Sequence, residues 1–207
     1  MGLSNNAFGG HVFWDADTWM FPALILQHPE LARSIVDYRF KTLAGAIANA
    51  KSDGYAGAQY AWESGRTGKE DTPPGLVYRH ERHINGDVAL AQWQYYLATG
   101  DKAWLEARGY PVLKATADYW VSRVTFVKDK DRYEIREVVP PDENADLVNN
   151  SAYTNAIAKM NLDIAAMAAK AIGTAPNPKW TVTAKKMYVP FDAANNRFIA
   201  FDNYKGY

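Results

Sequence analysis

The chain has 207 residues, enough for one sizeable domain with its own core, and its 48% hydrophobic and 22% charged fractions are those of an ordinary globular protein. Lys plus Arg equals Asp plus Glu at 23 each, so there is no net field to draw the chain to nucleic acid or an anionic membrane. Cysteine is absent, which excludes disulfides, thiolate nucleophiles and Cys-ligated metal sites, while seven Trp, thirteen Tyr and eight Phe supply core bulk and flat faces for sugar rings.

Along the chain the periodicities are helical almost throughout. The first ten residues lack the basic start and apolar stretch of a signal peptide, and no run approaches a membrane span. Residues 4–17 break the helical rhythm. Leu31, Ile35, Tyr38, Leu43 and Ile47 then predict a helix over 29–51, opened by Pro29 and ended near Gly54. Residues 54–84 are a second non-helical stretch, rich in Gly, Pro and charge, of a length that in a compact domain is usually functional. Asn85 suits the cap of a helix that is apolar on nearly every side through Val88, Leu90, Ala91, Trp93, Tyr95, Tyr96 and Leu97, and such a helix should be buried.

A helical stretch around Trp104 is expected to break at Gly109-Tyr110-Pro111 and to resume from Val112 to Trp120. Residues 124–127 and 132–135 read as a small hairpin across Lys128-Asp129-Lys130-Asp131. Ile157, Met160, Ile164, Met167 and Ile172 give a clean helix closed by Gly173, and Asn177-Pro178 starts another containing Trp180, Ala184 and Met187. Helical hairpins joined alternately by short turns and long loops are the pattern of a helical toroid that gathers its long loops on one face.

Chemistry is concentrated in those loops. Pro140-Pro141 precede Asp142-Glu143, so the backbone that carries the carboxylates is ring-constrained. A catalytic acid is commonly presented this way; the competing reading is a plain loop-to-helix connection whose acid favours the helix dipole. His11, Trp14, Asp15 and Asp17 lie in one loop, Tyr60, Trp62, Glu63 and Ser64 in the next, and Glu81, His83 and Asn85 follow. A pyranose presents hydroxyls that both donate and accept, so its site wants carboxylates in bidentate positions and an indole beneath the ring. There is no metal-ligand spacing, phosphate-cradling Gly loop or nucleotide fingerprint.

Phe13-Trp14-Asp15, Ala61-Trp62-Glu63-Ser64, His83-Ile84-Asn85-Gly86 and Pro141-Asp142-Glu143 occur in that order, and together they resemble the central catalytic domain of glycoside hydrolase family 65. The resemblance runs from Gly10 to about Asp202. It implies an all-α fold, an (α/α)6 barrel of which residues 1–207 hold about half plus one small β-hairpin, with an N-terminal β-sandwich and the C-terminal half of the barrel outside them. It also implies an inverting reaction on an α-glucoside, with Glu143 as general acid and Trp14, Asp15, Trp62, Glu63, His83 and Asn85 as substrate-binding residues, and no metal or cofactor. The expected partner is a carbohydrate, with neither nucleic acid nor membrane, and with self-association through an exposed barrel interior.

Trp19-Met20-Phe21-Pro22, Val148-Asn149-Asn150-Ser151 and Tyr153-Thr154-Asn155 resemble the acid-trehalase and collagen-glucosidase branch. Phosphorylases of the family tend to carry a His-Glu pair where Asn144-Ala145 stands. In the family's hydrolases the general base follows the acid by well over a hundred residues, so the resemblance puts it outside this sequence. Hydrolase, phosphorylase and a non-catalytic sugar-binding or scaffold module all stay open on these residues.

Overall fold

The computed structural model describes residues 7–75 and 77–206, so residues 4–6 of the expected N-terminal loop lie outside the described residues. The helices are α1 (Phe21–Gln27), α2 (Pro29–Lys41), α3 (Leu43–Ser52), α4 (Ile84–Thr99), α5 (Lys102–Trp104), α6 (Tyr110–Arg123), α7 (Ala152–Ala171) and α8 (Pro178–Lys186). β1 (Thr125–Val127) pairs antiparallel with β2 (Arg132–Glu134), and β3 (Phe191–Asp192) with β4 (Arg197–Phe198). The fold is mostly helical.

Two long helices occupy the centre. α7 packs on α4, α6 and α8, while α2 and α1 cover other sides of α4. Close approach is written into small residues: a Cβ added at Gly86 would stand 2.4 Å from Ile157 Cγ1, and Ala158, Ala165, Ala168 and Ala169 of α7 are fully buried. Indole N–H groups then tie helix to helix, which satisfies polar atoms that burial would otherwise strand. Trp120 Nε1 donates to Asn161 Oδ1 at 3.0 Å, Trp180 Nε1 to Asp118 Oδ1 at 2.8 Å and Trp104 Nε1 to Asp37 Oδ1 at 3.0 Å. As its composition suggests, α4 is buried along most of its length, from Ile84 to Ala89 and again at Ala91, Gln92 and Tyr95.

Several sequence expectations are corrected. The helix over 29–51 is two helices, because Thr42 adopts φ −98° and ψ 5° and its hydroxyl donates back to Tyr38 O at 2.8 Å. Such back-bonding competes with the ladder. Around Gly109 the chain does not break: residues 105–109 form a π turn, and Pro111 falls in the first turn of α6, where its missing N–H costs least. Asn85 is not a cap. His83 occupies that position, and Asn85 lies in the first turn with its side chain turned to residues 58–60. Helix α1 and the β3/β4 ribbon carry no expectation from the sequence; both are short, and Pro22 at the start of α1 is the one local signal for it. The β1/β2 hairpin, the Asn177 cap of α8 and the end of α7 at Gly173 (φ +84°) stand as expected, but Met187, expected inside α8, lies just past its end with an extended backbone (ψ 121°).

Stripped apolar faces are expected on both α4 and α7 from a barrel cut in half. For α4 the expectation fails, because α1, α2, α6 and α7 cover it and only its last turns, at Leu97, open to solvent. On α7 a stripe does emerge, with Tyr153, Met160 and Met167 each about two-fifths exposed at seven-residue spacing. Because Ile157 is β-branched and cannot swing away, Gly86→Ala is expected to cost about 1–3 kcal/mol by overpacking the α4–α7 contact. A urea midpoint equal to that of the parent chain would show that the two helices can separate freely.

Candidate active site

Side-chain amides and backbone contacts fix the loops that carry the sequence motifs. Asn85 Oδ1 accepts from Tyr60 N at 2.7 Å while its Nδ2 donates to Ala58 O at 2.9 Å, and Asn49 Nδ2 donates to Gln59 O and Gly68 O at 3.2 and 3.1 Å. Gly57 (φ +77°) lets the loop pass against α6; a Cβ there would meet Ala115 O at 2.3 Å. This holds Trp62. An antiparallel bridge between Val12 and Ser64 then brings residues 12–15 alongside. Behind them Arg39, fully buried, grips Asp17 through Nε and Nη2 and donates from Nη2 to Phe13 O at 3.0 Å. Burial opposes the charge on Arg39, but the Asp17 carboxylate raises its pKa above the ordinary guanidinium value, so it stays charged.

The acid segment is anchored from two sides. Val138 and Val148 exchange backbone hydrogen bonds at 3.0 and 2.8 Å, and Val139 N donates to His80 O at 3.0 Å. Asp142 accepts from Asn144 N at 3.2 Å, shaping the turn on which Glu143 projects. Helix α7 begins well beyond it, capped by Ser151, whose hydroxyl accepts from Thr154 N at 3.3 Å. Glu143 therefore does not cap that helix. Asp15 likewise makes no side-chain capping bond to the turn that follows it.

Trp14, Asp15, Trp62 and Glu143 converge on one cavity of about 300 Å³, joined by Phe8, Phe13 and Tyr78. Residues 128 positions apart in sequence thus share one concavity. Its aromatic wall is continuous: Phe13 meets Trp62 edge-on at 4.9 Å, and Trp62 stacks on Tyr78 at 5.0 Å with 27° between planes. Glu143 is exposed on the rim.

Beneath Trp14 lies a buried charge network. His83, with no exposed surface, sits edge-on to Trp14 at 4.9 Å and to Tyr153 at 5.3 Å. Its Nδ1 donates to Asp87 Oδ2 at 2.7 Å and its Nε2 to Glu81 Oε2 at 3.1 Å, and the Tyr153 hydroxyl donates to Asp87 Oδ1 at 2.6 Å. Burial alone would lower the His83 pKa, but the hydrogen bonds and charges of Asp87 and Glu81 prevail and raise it to about 9. The ring is an imidazolium at neutral pH. Glu81 is shifted upward, first by burial, against the pull of His83 and with the charge of Glu143 pushing further. Glu81 is thus electrostatically linked to Glu143 across the cavity wall.

The other expected site residues lie outside the cavity lining. Glu63 is buried, with Oε1 2.7 Å from His11 Nδ1. His83 lies one layer below the cavity, and Asn85 is committed at both ends of its amide to backbone. Asp17, grouped with the sugar-binding residues on sequence, is consumed by Arg39. Sequence reasoning did not pick out Phe8, Phe13, Tyr78, Asp87 or Tyr153, nor carry Glu81 into the site. Asp87 had a signal, four residues after His83 on a helix; Tyr153 stood in a family motif, but nothing in the sequence paired it with Asp87, 66 positions away. Among the described residues no group of three His, Asp or Glu side chains is placed to hold a metal ion.

Residues 1–206 match the glycosyl hydrolase family 65 central catalytic domain. The chain belongs to that family. It is 48% identical over 190 residues to a kojibiose hydrolase of Flavobacterium johnsoniae, covering 91% of this chain and 28% of the relative. It is 45% identical over 208 residues to the protein-glucosylgalactosylhydroxylysine glucosidase of Gallus gallus, covering 98% and 30%. A kojibiose phosphorylase of Caldanaerobacter subterraneus is 38% identical over 231 residues, covering 98% and 30%. A solved human-microbiome protein, named for a kojibiose phosphorylase, superposes with a TM-score of 0.85 at 24% identity, covering 95% of this chain and 28% of that one. The chain thus spans under a third of the length of these relatives.

His83 makes this family domain pH-sensitive. Its folded pKa of about 9 stands above the unfolded value near 6.5, so its stabilisation is complete below about pH 6.5 and is lost as pH rises through about 9. The loss should be on the order of 3 kcal/mol, visible as a falling urea midpoint between pH 6.5 and 9.5, and His83→Gln should flatten that limb. An unchanged slope in the variant would assign the effect to other groups.

Proposed function

We propose that the chain is the acid-bearing part of an inverting α-glucoside hydrolase that removes a terminal glucose from a disaccharide or glycoconjugate. One observation carries this reading: Glu143, unengaged by any helix cap, opens onto the same aromatic-walled cavity as Asp15, Trp14 and Trp62. Glu143 protonates the departing glycosidic oxygen. Asp15 takes the hydroxyls of the glucosyl ring, while Trp14 and Trp62 supply apolar surface to its C–H face. Glu63 and His83 support the site from behind, with Glu63 fixing His11 and the His83 imidazolium holding Glu81 in place. Asn85 acts through the loop it staples rather than on the sugar.

Inversion requires a second carboxylate, roughly 6.5–9.5 Å from the acid, to activate water from the opposite face of the ring. In this reading that base belongs to a half of an (α/α)6 toroid beyond these residues, and a β-sandwich precedes them. The stripe of Tyr153, Met160 and Met167 on α7 suits a helix that further helices cover, or through which the isolated chain self-associates. Identity to a kojibiose hydrolase and to a glycoconjugate glucosidase favours hydrolysis. The second reading, phosphorolysis, is favoured by the 38% identity to a kojibiose phosphorylase, in which inorganic phosphate would replace the activated water.

Assay of glucose release from kojibiose, with and without inorganic phosphate, separates the two. Within a protein of the relatives' length that carries this chain, phosphate-independent release of β-glucose is expected. Glu143→Gln should lower turnover by about 10²–10⁴-fold, the usual contribution of a positioned acid. The 207-residue chain alone should give no measurable turnover. Activity that survives Glu143→Gln would remove Glu143 from the chemistry, and a strict need for phosphate would make the enzyme a phosphorylase.

A further inference from the structure

A second concavity shares no lining residue with the Glu143 cavity. It has a volume of about 660 Å³, within the ~300–1,000 Å³ of small-molecule sites. An adjoining cavity of about 750 Å³ shares Tyr55, Arg123, Glu137 and Leu147 with it, so the two form one groove. Residues 78–82 run between groove and active site: Tyr78 lines the Glu143 cavity, whereas Arg79, His80 and Arg82 line the groove.

In the 660 Å³ part of the groove the charges balance, with Arg79, Arg82 and Arg123 against Asp53, Glu70 and Glu137, and Arg136 of the adjoining part is paired with Glu134 at 3.1 Å. Burial, then Arg82, against the opposing charge of Asp53, lower the His80 pKa, with Arg123 and Arg79 adding to the effect. His80 is therefore neutral at pH 7. An oxyanion would meet the carboxylates and a cation the guanidinium groups, but a hydroxyl donates to the one and accepts from the other.

Two wall residues point the same way. Gln59 is 4% exposed, and its Nε2 donates to Asp53 Oδ2 at 2.8 Å, which fixes the amide orientation; its Oε1 is left without a hydrogen-bond partner among the described residues. Arg123 Nε is likewise buried without one. The first lacks a donor and the second an acceptor, and a polyhydroxylated ligand supplies both.

We propose that this groove is a non-catalytic binding site for a neutral carbohydrate, separate from the Glu143 cavity. The argument rests on the groove lining and stands whichever reaction the Glu143 cavity performs. Kojibiose and maltose are suitable probes, titrated into the full chain carrying Asp15→Ala, so that the Glu143 cavity is disabled. Saturable binding should persist in that variant, with a shift of the Gln59 side-chain amide resonance. Adding Arg79→Ala and Glu137→Ala, both exposed side chains, should weaken it at least tenfold, and inorganic phosphate should not compete. Loss of all binding with Asp15→Ala, shifts confined to the Trp14 and Trp62 indoles, indifference to the groove substitutions, or displacement by phosphate would each overturn the proposal.

Discussion

The site depends on one buried cation. His83 lies between Glu81 and Asp87 with no solvent contact, and its charge is what allows two carboxylates to be buried side by side. Without it they would be unpaired charges in low dielectric, a situation that costs several kcal/mol or forces protonation. Each member belongs to a different part of the wall. Asp87 accepts from Tyr153 at the start of α7, Glu81 follows the segment that bears Tyr78, and the ring of His83 supports Trp14. The network therefore joins the α4 and α7 termini to two of the loops that line the Glu143 cavity.

A second layer of fixed polar contacts explains how long non-helical segments keep a defined shape. Arg39 and Asp17 form a buried pair behind residues 13–15, and the Tyr60 hydroxyl donates to Arg39 O at 2.5 Å. Asn150, buried with φ +53°, accepts from Ile135 N at 3.2 Å and donates to Asp202 Oδ2 at 2.8 Å, which ties the acid loop to the hairpin and to the C-terminal segment. Side-chain amides and guanidinium groups replace the ladder hydrogen bonds that a helix or sheet would supply. That replacement holds these loops in a defined shape, as the positioning of site side chains on loops requires.

Two concavities separated by a single strip of chain place Tyr78 and Arg79 on opposite sides of one wall. The wall is thin, and it is polar on the groove side and aromatic on the other. Any ligand that orders Arg79 therefore acts one residue away from Tyr78, the stacking partner of Trp62.

The sequence by itself determined the helical fold class, the burial of α4, the β1/β2 hairpin, the end of α7, the start of α8 and the family, because periodicity, caps and ordered motifs are local signals. It also singled out Trp14, Asp15, Trp62 and Glu143, which the fold gathers around one cavity. Tertiary structure alone decided which of the other polar residues line that cavity and which are tied up elsewhere. Asp17, Glu63, His83 and Asn85 have the chemistry of binding residues, but Arg39, His11, the Asp87–Glu81 pair and the backbone of residues 58–60 claim them. Those partners are contributed by different segments, mostly distant in sequence, and a side chain's availability depends on which groups folding places beside it.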